Sequence, residues 1–206
     1  MPVPKGASLD PVQTRATILR AATGLLYERG LDGIGVAELC ATVGASKETL
    51  YRHFGSKDGL VQAVLEARSD HVVRWLREAA QAAGDDPAAQ LAAVFDALAG
   101  WYAEPAFRGC AIVNASSQWH DGVPRAVAAR HLDRHLDLLT GIARRAGARQ
   151  PEVLGRQLLM LVEGATVLAD HHDERDAAAT AKQAALALLR QQGEGGVHVT
   201  LSGRST

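Results

Sequence analysis

Aromatic residues and cysteines are scarce in this chain of 206 residues, which contains three Trp, three Tyr, three Phe and two Cys. With so few aromatics, the hydrophobic core has to be built from Ala, Leu and Val. Alanine and leucine are strong helix formers, and runs of β-branched residues are nearly absent. The composition therefore predicts an all-α protein.

Three further absences narrow the class of protein. Cys40 and Cys110 lie far apart without the spacing of metal ligands, and we expect reduced thiols. No N-terminal apolar segment is present, and no apolar run approaches the ~18 residues of a membrane span. We therefore expect a cytoplasmic protein. The formal net charge of −1 argues against general polyanion binding, although it says nothing about local patches.

The spacing of apolar residues predicts nine helices, of which the three nearest the N-terminus are the shorter ones. Residues 1–11 are rich in Pro, Gly and Ser, and this composition predicts a flexible arm. The Gly-rich residues 193–206 predict a flexible tail, although "VHVTL" within it alternates as a strand would. A long fourth helix is predicted over 57–83, ending at the break "GDDP".

The segment "VGASKETLYRHFGSK", residues 43–57, leaves room for only two helical turns between Ser46 and Gly55. Isolated helices shorter than ~12 residues are marginal in water, so packing has to hold this one. We expect Leu50 and Phe54 to point inward. Two short helices joined by a glycine-containing turn form a helix-turn-helix, whose second helix enters a DNA major groove.

The outer face of this second helix carries side chains that suit DNA. Lys47 lies at the helix N-terminus, where the macrodipole disfavours a cation unless it meets a phosphate or a guanine edge. Lys57 repeats this placement beside Ser56, at a helix N-terminus of the kind that binds phosphate. The alternative interpretation is an ordinary solvated face. The predicted DNA contacts are Ser46, Lys47, Glu48, Thr49, Tyr51, Arg52, His53 and Lys57.

Residues 12–66 resemble the DNA-binding domain of the TetR family of transcriptional repressors. The matching patterns are A-A-x-x-L-x-x-x-x-G, V-A-x-L-x-x-x-x-G and T-L-Y-x-H-F-x-S-K-x-x-L. The resemblance implies a helix-turn-helix DNA-binding domain at 12–56 and a ligand-binding and dimerisation domain at 57–192. It also implies a homodimer on a near-palindromic operator, released by a small-molecule effector.

By the same resemblance, Lys47, Thr49, Tyr51 and His53 contact DNA and Lys57 contacts the phosphate backbone. Val36 and Ala37 occupy positions where relatives often place polar contacts, but they offer no hydrogen bond. Base reading is therefore expected to fall on Lys47, Glu48 and Arg52. Residues 1–60 hold seven Lys and Arg against six Asp and Glu, so binding should rely on local contacts rather than a broad basic field.

The last two predicted helices are the expected dimer interface, because "RQLLMLVEGATVLAD" is apolar on more than one stripe and "DAAATAKQAALALL" is rich in small residues. The alternative is that these faces pack within one subunit. "FRGCAIVNASSQW" resembles a motif of one branch of the family. The effector is expected to be small and largely apolar. Its candidate contacts are Trp101, Phe107, Cys110, Asn114, Trp119, Met160 and Glu163.

Three other interpretations compete with this one. His131 and His135 are four residues apart and would suit a metal sensor together with His171, His172, Asp173 and Glu174, but we expect them on a polar, solvated face. Cys110 would sense oxidants if a helix N-terminus lowered its pKa, or would be a small buried hydrophobe. No G-x-S-x-G, P-loop or H-E-x-x-H pattern predicts an enzyme, and no cofactor is expected. The rival from another class is a small-molecule-binding or enzymatic protein whose helix-turn-helix does not read DNA.

Overall fold

The structure, a computed structural model, describes residues 10–30, 35–119, 122–172 and 176–193. These residues form helices and no strand, which confirms the all-α prediction. None of the helices in these ranges is long and apolar enough to cross a bilayer. The "VHVTL" segment and residues 1–9 of the predicted arm lie outside the described residues. The helices are α1 (Pro11–Arg29), α2 (Val36–Val43), α3 (Lys47–Phe54), α4 (Lys57–Ala82), α5 (Pro87–Tyr102), α6 (Ala111–Gln118), α7 (Val123–Arg145), α8 (Pro151–His171) and α9 (Ala177–Gly193).

Local sequence signals account for the ends of these helices. Asp10 precedes α1 and accepts a hydrogen bond from the Val12 N–H at 3.0 Å, followed by a proline in the first turn. Asp86 and Pro87 repeat this arrangement at α5. At the end of α2, Gly44 adopts φ 66° and ψ 25°, a left-handed conformation that glycine reaches without steric cost. This conformation of Gly44 ends α2 and allows the tight turn between α2 and α3.

The chain divides into two compact units. The first unit comprises the described residues of Met1–Arg74 together with Arg108–Leu132, and the second those of Trp75–Phe107 and Asp133–Thr206. The core of the first unit draws on α1–α4, α6 and α7. Its fully buried side chains include Ile18, Leu39, Leu50, Leu60 and Ile112.

The core of the second unit is built from α5, α7, α8 and α9, around buried side chains such as Phe95 and Leu158. Four aromatic side chains pack together in this unit. The Trp101 ring lies edge-on to Phe107 at 4.9 Å and to Trp75 at 6.2 Å between centroids. Tyr102 lies 5.0 Å from Phe107, and its hydroxyl forms a hydrogen bond of 2.8 Å with Thr166 Oγ1. Four of the nine aromatic residues of the chain are therefore concentrated in one cluster of the second unit.

A close approach between α7 and α8 requires glycine at position 155. A Cβ added at Gly155 would collide with Thr140 Oγ1 and lie 3.1 Å from Thr140 Cα. We expect Gly155→Ala to lower the free energy of unfolding by about 1–3 kcal/mol, the usual cost of overpacking a core. Thermal or urea unfolding followed by circular dichroism measures this.

The matched control is Gly100→Ala on α5, where an added Cβ meets nothing within 4 Å. Because alanine is the better helix former by about 1 kcal/mol, this variant should be neutral or slightly stabilised. Thr140→Ala in the Gly155→Ala background should restore part of the loss. Equal stability of the two glycine variants would contradict the close approach.

Candidate nucleic-acid interface

The eight-residue helix α3 is held by its cap and by its buried face. Ser46 Oγ accepts a hydrogen bond from the Thr49 N–H at 3.1 Å, and the Gly55 N–H donates to the Tyr51 carbonyl at 2.7 Å. Leu50 is fully buried and Phe54 is 9% exposed in the core shared with α1, α2 and α4. The inward orientation predicted for these two side chains is confirmed, and the opposite face of α3 is left open.

Most of the side chains predicted to contact DNA lie on α3, with Ser46 at its N-cap and Lys57 at the start of α4. Ser46, Lys47, Glu48, Tyr51 and Arg52 are exposed, whereas three others are half-buried. Those three are Thr49, His53 and Lys57. An eight-residue helix with an apolar side in the core and cations, hydroxyls and a phenol on the other side has the shape and chemistry of a groove-reading element.

Charges on this face are partly paired. Arg52 Nη2 lies 3.4 Å from Glu48 Oε1, an i,i+4 pair with both side chains largely exposed. Exposed pairs of this kind contribute about 0.3–0.5 kcal/mol, so DNA can replace the pair at little cost. Lys47 forms no ion pair with any residue in the described ranges. Its ammonium group is therefore available to an external anion.

The start of α4 adds a second group of donors. Ser56 Oγ accepts a hydrogen bond from the Gly59 N–H at 3.0 Å, while Lys57 is the first helical residue. The first backbone N–H groups of a helix lack intrahelical partners and favour anions.

Sequence reasoning missed Arg15 on α1, whose guanidinium carbon lies 5.3 Å from the centroid of the Phe54 ring. No local signal predicts this contact, because it joins residues 39 positions apart.

Four of the predicted effector contacts lie in the second unit. Trp101 and Phe107 are in ring contact within the aromatic cluster. Glu163 Oε1 on α8 lies 3.8 Å from His135 Nδ1 on α7. Met160 is 71% exposed on α8 and lines a surface groove between α8 and α9. The structure thus brings the two aromatics together and places Met160 on an exposed helix face.

The other three effector candidates lie in the first unit. Asn114 Nδ2 donates a hydrogen bond to the Arg108 carbonyl at 2.9 Å, so this side chain closes the turn that precedes α6. Cys110 is the N-cap of α6 and is half-buried. Trp119, the residue after α6, is 39% exposed. A groove of about 130 Å³ between α6 and the end of α1 is lined by Asn114.

The expectation that His131 and His135 are solvated is wrong, because they are 0% and 6% exposed. They continue the buried stripe of α7, three and seven residues after Ala128 and ahead of Leu139. Their spacing relative to Ala128 and Leu139 was therefore a signal in the sequence that both histidines are buried. Within the described residues, no group of three or more His, Cys, Asp and Glu side chains is placed to hold a metal ion.

Comparison with protein families gives a match over residues 18–64 to the model described as bacterial regulatory proteins, tetR family. The chain is 34% identical over 82 residues to the HTH-type transcriptional activator FasR of Mycolicibacterium smegmatis, covering 40% of this chain. It is 37% identical over 70 residues to the HTH-type transcriptional repressor Rv3405c of Mycobacterium tuberculosis, covering 34% of this chain. Each alignment spans 37% of the relative's own length.

Two solved structures are similar over most of the chain. SCO4454 of Streptomyces coelicolor, a TetR-family transcriptional regulator, superposes with a TM-score of 0.76 at 29% identity, covering 89% of this chain and 97% of that one. A putative TetR transcriptional regulator of Streptomyces avermitilis, sav143, superposes with a TM-score of 0.69 at 30% identity, covering 84% and 97%. The similarity therefore extends well beyond the helix-turn-helix.

Proposed function

Because the chain belongs to the TetR family of transcriptional regulators, we propose that it is a cytoplasmic repressor that binds its operator as a homodimer and releases it when a small molecule binds. The observation that carries this proposal is α3, with Leu50 and Phe54 buried and a polar face left open. We assign DNA binding to residues 12–56, and effector binding and dimerisation to 57–192. The protein acts by binding rather than by catalysis.

The open face of α3 supports a division of labour between base and phosphate contacts. Lys47, Glu48 and Arg52 are exposed and have the groups that read base edges: the cations donate to guanine O6 and N7, and the carboxylate accepts from cytosine N4. Lys57 and the first turn of α4 suit a backbone phosphate. Thr49, Tyr51 and His53 add donors that fix the register of the helix. Ser46, the exposed N-cap of α3, offers a further hydroxyl group.

Two lysine variants separate these roles. Lys57→Ala should weaken binding to all DNA sequences alike and reduce the magnitude of the salt slope by about one, because one phosphate contact is lost. Lys47→Ala should in addition relax the base preference. Fluorescence anisotropy with operator and mutated operators over a salt series measures both. The control is Arg149→Ala, which removes an exposed cation in the second unit. An unchanged salt slope for Lys57→Ala would contradict the phosphate assignment.

The dimer is proposed through α8 and α9. Met160, Val167 and Leu168 are large apolar side chains exposed along one face of α8. Beside them, a groove of about 420 Å³ between α8 and α9 is lined by small residues such as Gly164, Ala177 and Ala181. Exposed apolar patches of this kind mark interaction surfaces, and small residues let helices approach closely. Two recognition helices of a dimer would then meet half-sites one helical turn, about 34–36 Å, apart.

The effector site is proposed among the candidates that are not on this dimer face. Trp101 and Phe107 offer apolar contact area, and the carboxylate of Glu163 offers a polar anchor beside His135. Within the first unit, Cys110 is the N-cap of α6, Asn114 lies within α6 and Trp119 follows it, and these three remain candidate effector contacts. Effector binding would favour a dimer geometry that no longer matches successive grooves, so DNA and effector would oppose each other through linkage.

Selection of the purified protein against random duplexes of about 30 bp at about 150 mM salt tests the proposal, because specific binding has to survive counterion competition. Enrichment of a near-palindrome is the expected result, and its half-site spacing tests the dimer. No enrichment from a folded, dimeric preparation freed of bound small molecules by refolding would overturn the repressor proposal. The rival, a small-molecule-binding or enzymatic protein with a helix-turn-helix that does not read DNA, would then take its place.

A further inference from the structure

Only Gly55 and Ser56 separate the end of α3 from the start of α4, and we call residues 54–59 the α3–α4 corner. Gly55 adopts φ 75° and ψ −50°, and the Ser56 N–H donates a hydrogen bond to the Phe54 carbonyl oxygen at 2.8 Å. A hydrogen bond between residues two apart, with these dihedral angles at the residue between them, is a γ-turn of the rare class with positive φ. Glycine reaches this conformation because it has no Cβ. The chain therefore turns sharply between the two helices.

Gly59, in the first turn of α4, closely approaches the same carbonyl group. A Cβ added at Gly59 would collide with the Phe54 carbonyl oxygen and lie 3.2 Å from the carbonyl carbon. The N–H of Gly59 donates a hydrogen bond to Ser56 Oγ at 3.0 Å, which holds the first turn of α4 against the corner. The end of α3 and the start of α4 are thus closer together than a Cβ at position 59 would allow.

Buried side chains hold both sides of the α3–α4 corner. Phe54 is 9% exposed, with the Arg15 guanidinium carbon 5.3 Å from the centroid of its ring, and Leu60 of α4 is fully buried in the same core. With only two residues between the helices, the connection cannot absorb a displacement. A Cβ at position 59 would therefore shift α4 relative to α3. Because carbon and oxygen atoms in contact lie about 3.3 Å or more apart, the shift would be about 1 Å.

We propose that Gly59 is a positioning residue for operator specificity, because it fixes the offset between Lys57 on α4 and the base-reading side chains of α3. This inference rests on the proposed function, in which Lys57 contacts a phosphate and Lys47, Glu48 and Arg52 read base edges. Phosphate contacts set the register of a protein on the duplex, and base contacts supply the specificity. A binding site has to be held within about 0.5 Å of its productive geometry. A shift of about 1 Å would prevent both sets of contacts from forming on one operator.

Gly59→Ala tests this role, because it adds a single Cβ at the close approach. Operator affinity should fall about 10–100-fold, comparable to the cost of one mismatched base pair. Affinity for a random-sequence duplex should be retained with an unchanged salt slope, because nonspecific binding depends on charge rather than on the offset. Fluorescence anisotropy over a salt series, with the selected operator and with the random duplex, gives the ratio of the two affinities.

Two further glycine variants complete the design. Gly24→Ala on α1 is the matched control, because a Cβ there meets nothing within 4 Å, and it should keep the wild-type ratio of affinities. Gly55→Ala disturbs the corner from its other side, since alanine is strained at positive φ, and it should also lose specificity. This variant covers the case in which Gly59→Ala does not fold. Circular dichroism melting identifies the variants that are folded at the assay temperature.

The ratio of affinities separates the possible outcomes. A wild-type ratio in the folded Gly59→Ala protein, or in the folded Gly55→Ala protein if the first variant does not fold, would overturn the positioning role. An equal loss of affinity for both duplexes would also overturn it, because that result indicates a disordered α3 rather than a changed offset. Wild-type protein that prefers no sequence would instead count against the repressor function, and the role of Gly59 in specificity would fall with it.

Discussion

Leu50→Ala is expected to abolish tight operator binding without touching any side chain that faces DNA. Leu50 is fully buried, and truncating a buried leucine costs about 2–5 kcal/mol. The helix it anchors has only eight residues and cannot persist without packing. Part of the free energy of DNA binding would then be used to order α3. Each 1.4 kcal/mol of lost binding free energy weakens affinity tenfold, so operator affinity should fall at least about 100-fold. Fluorescence anisotropy below the melting temperature measures the loss.

The matched control is Leu91→Ala, which truncates an equally buried leucine on α5 in the second unit. Both variants should melt earlier than the wild-type protein. Only Leu50→Ala should lose operator affinity at temperatures where both variants are folded by circular dichroism. Wild-type affinity in a folded Leu50→Ala protein would show that α3 does not have to be held in place to bind DNA.

Leu168→Glu is expected to have an effect of similar size through assembly. Leu168 is 48% exposed beside Val167 on α8, on the face proposed to pair with a second subunit. A carboxylate buried there without a partner opposes association strongly. In a dimer, binding of one subunit to its half-site holds the other subunit at a high effective concentration near the second half-site. Loss of the dimer removes this gain, so operator affinity should fall by about 10²–10⁴-fold. Sedimentation or light scattering should report a monomer.

Gln81→Glu is the control, because it adds the same charge at an exposed polar position in the last turn of α4. This variant should stay dimeric and bind the operator. A Leu168→Glu protein that remains dimeric and binds normally would exclude this face of α8 from the interface.

The boundaries of α2 and α3 were predictable because their signals are local. Ser46 caps α3, Gly44 and Gly55 end the two short helices, and each acts on residues no more than four positions away. The same holds for the buried side of α3, since Leu50 and Phe54 are four residues apart on one face. Helix periodicity therefore sufficed to define the candidate DNA-binding face.

The interior of α7 was only partly predictable, because the spacing of His131 and His135 continues the buried stripe while their polarity favoured a solvated face. Its buried stripe contains His131 and His135, and a histidine on a buried stripe is hard to distinguish from one on a polar face until its partners are known. Those partners lie far away in sequence: Ser69 is 62 residues from His131, and Cys110 is 21 residues away. The role predicted for Asn114 as an effector contact likewise rested on its polarity, whereas its amide is bonded to the Arg108 carbonyl.

The packing of the aromatic side chains has a practical consequence for spectroscopy. Two of the three tryptophans, Trp75 and Trp101, lie edge to face in the second unit, and Trp119 belongs to the first. Tryptophan emission of the Trp119→Phe protein, excited at a wavelength that tyrosine does not absorb, would therefore come from the second unit alone. Tryptophan emission of a Trp75→Phe, Trp101→Phe protein would come from the first unit alone. The chain thus carries its own fluorophores for following the unfolding of each unit separately, with no attached dye.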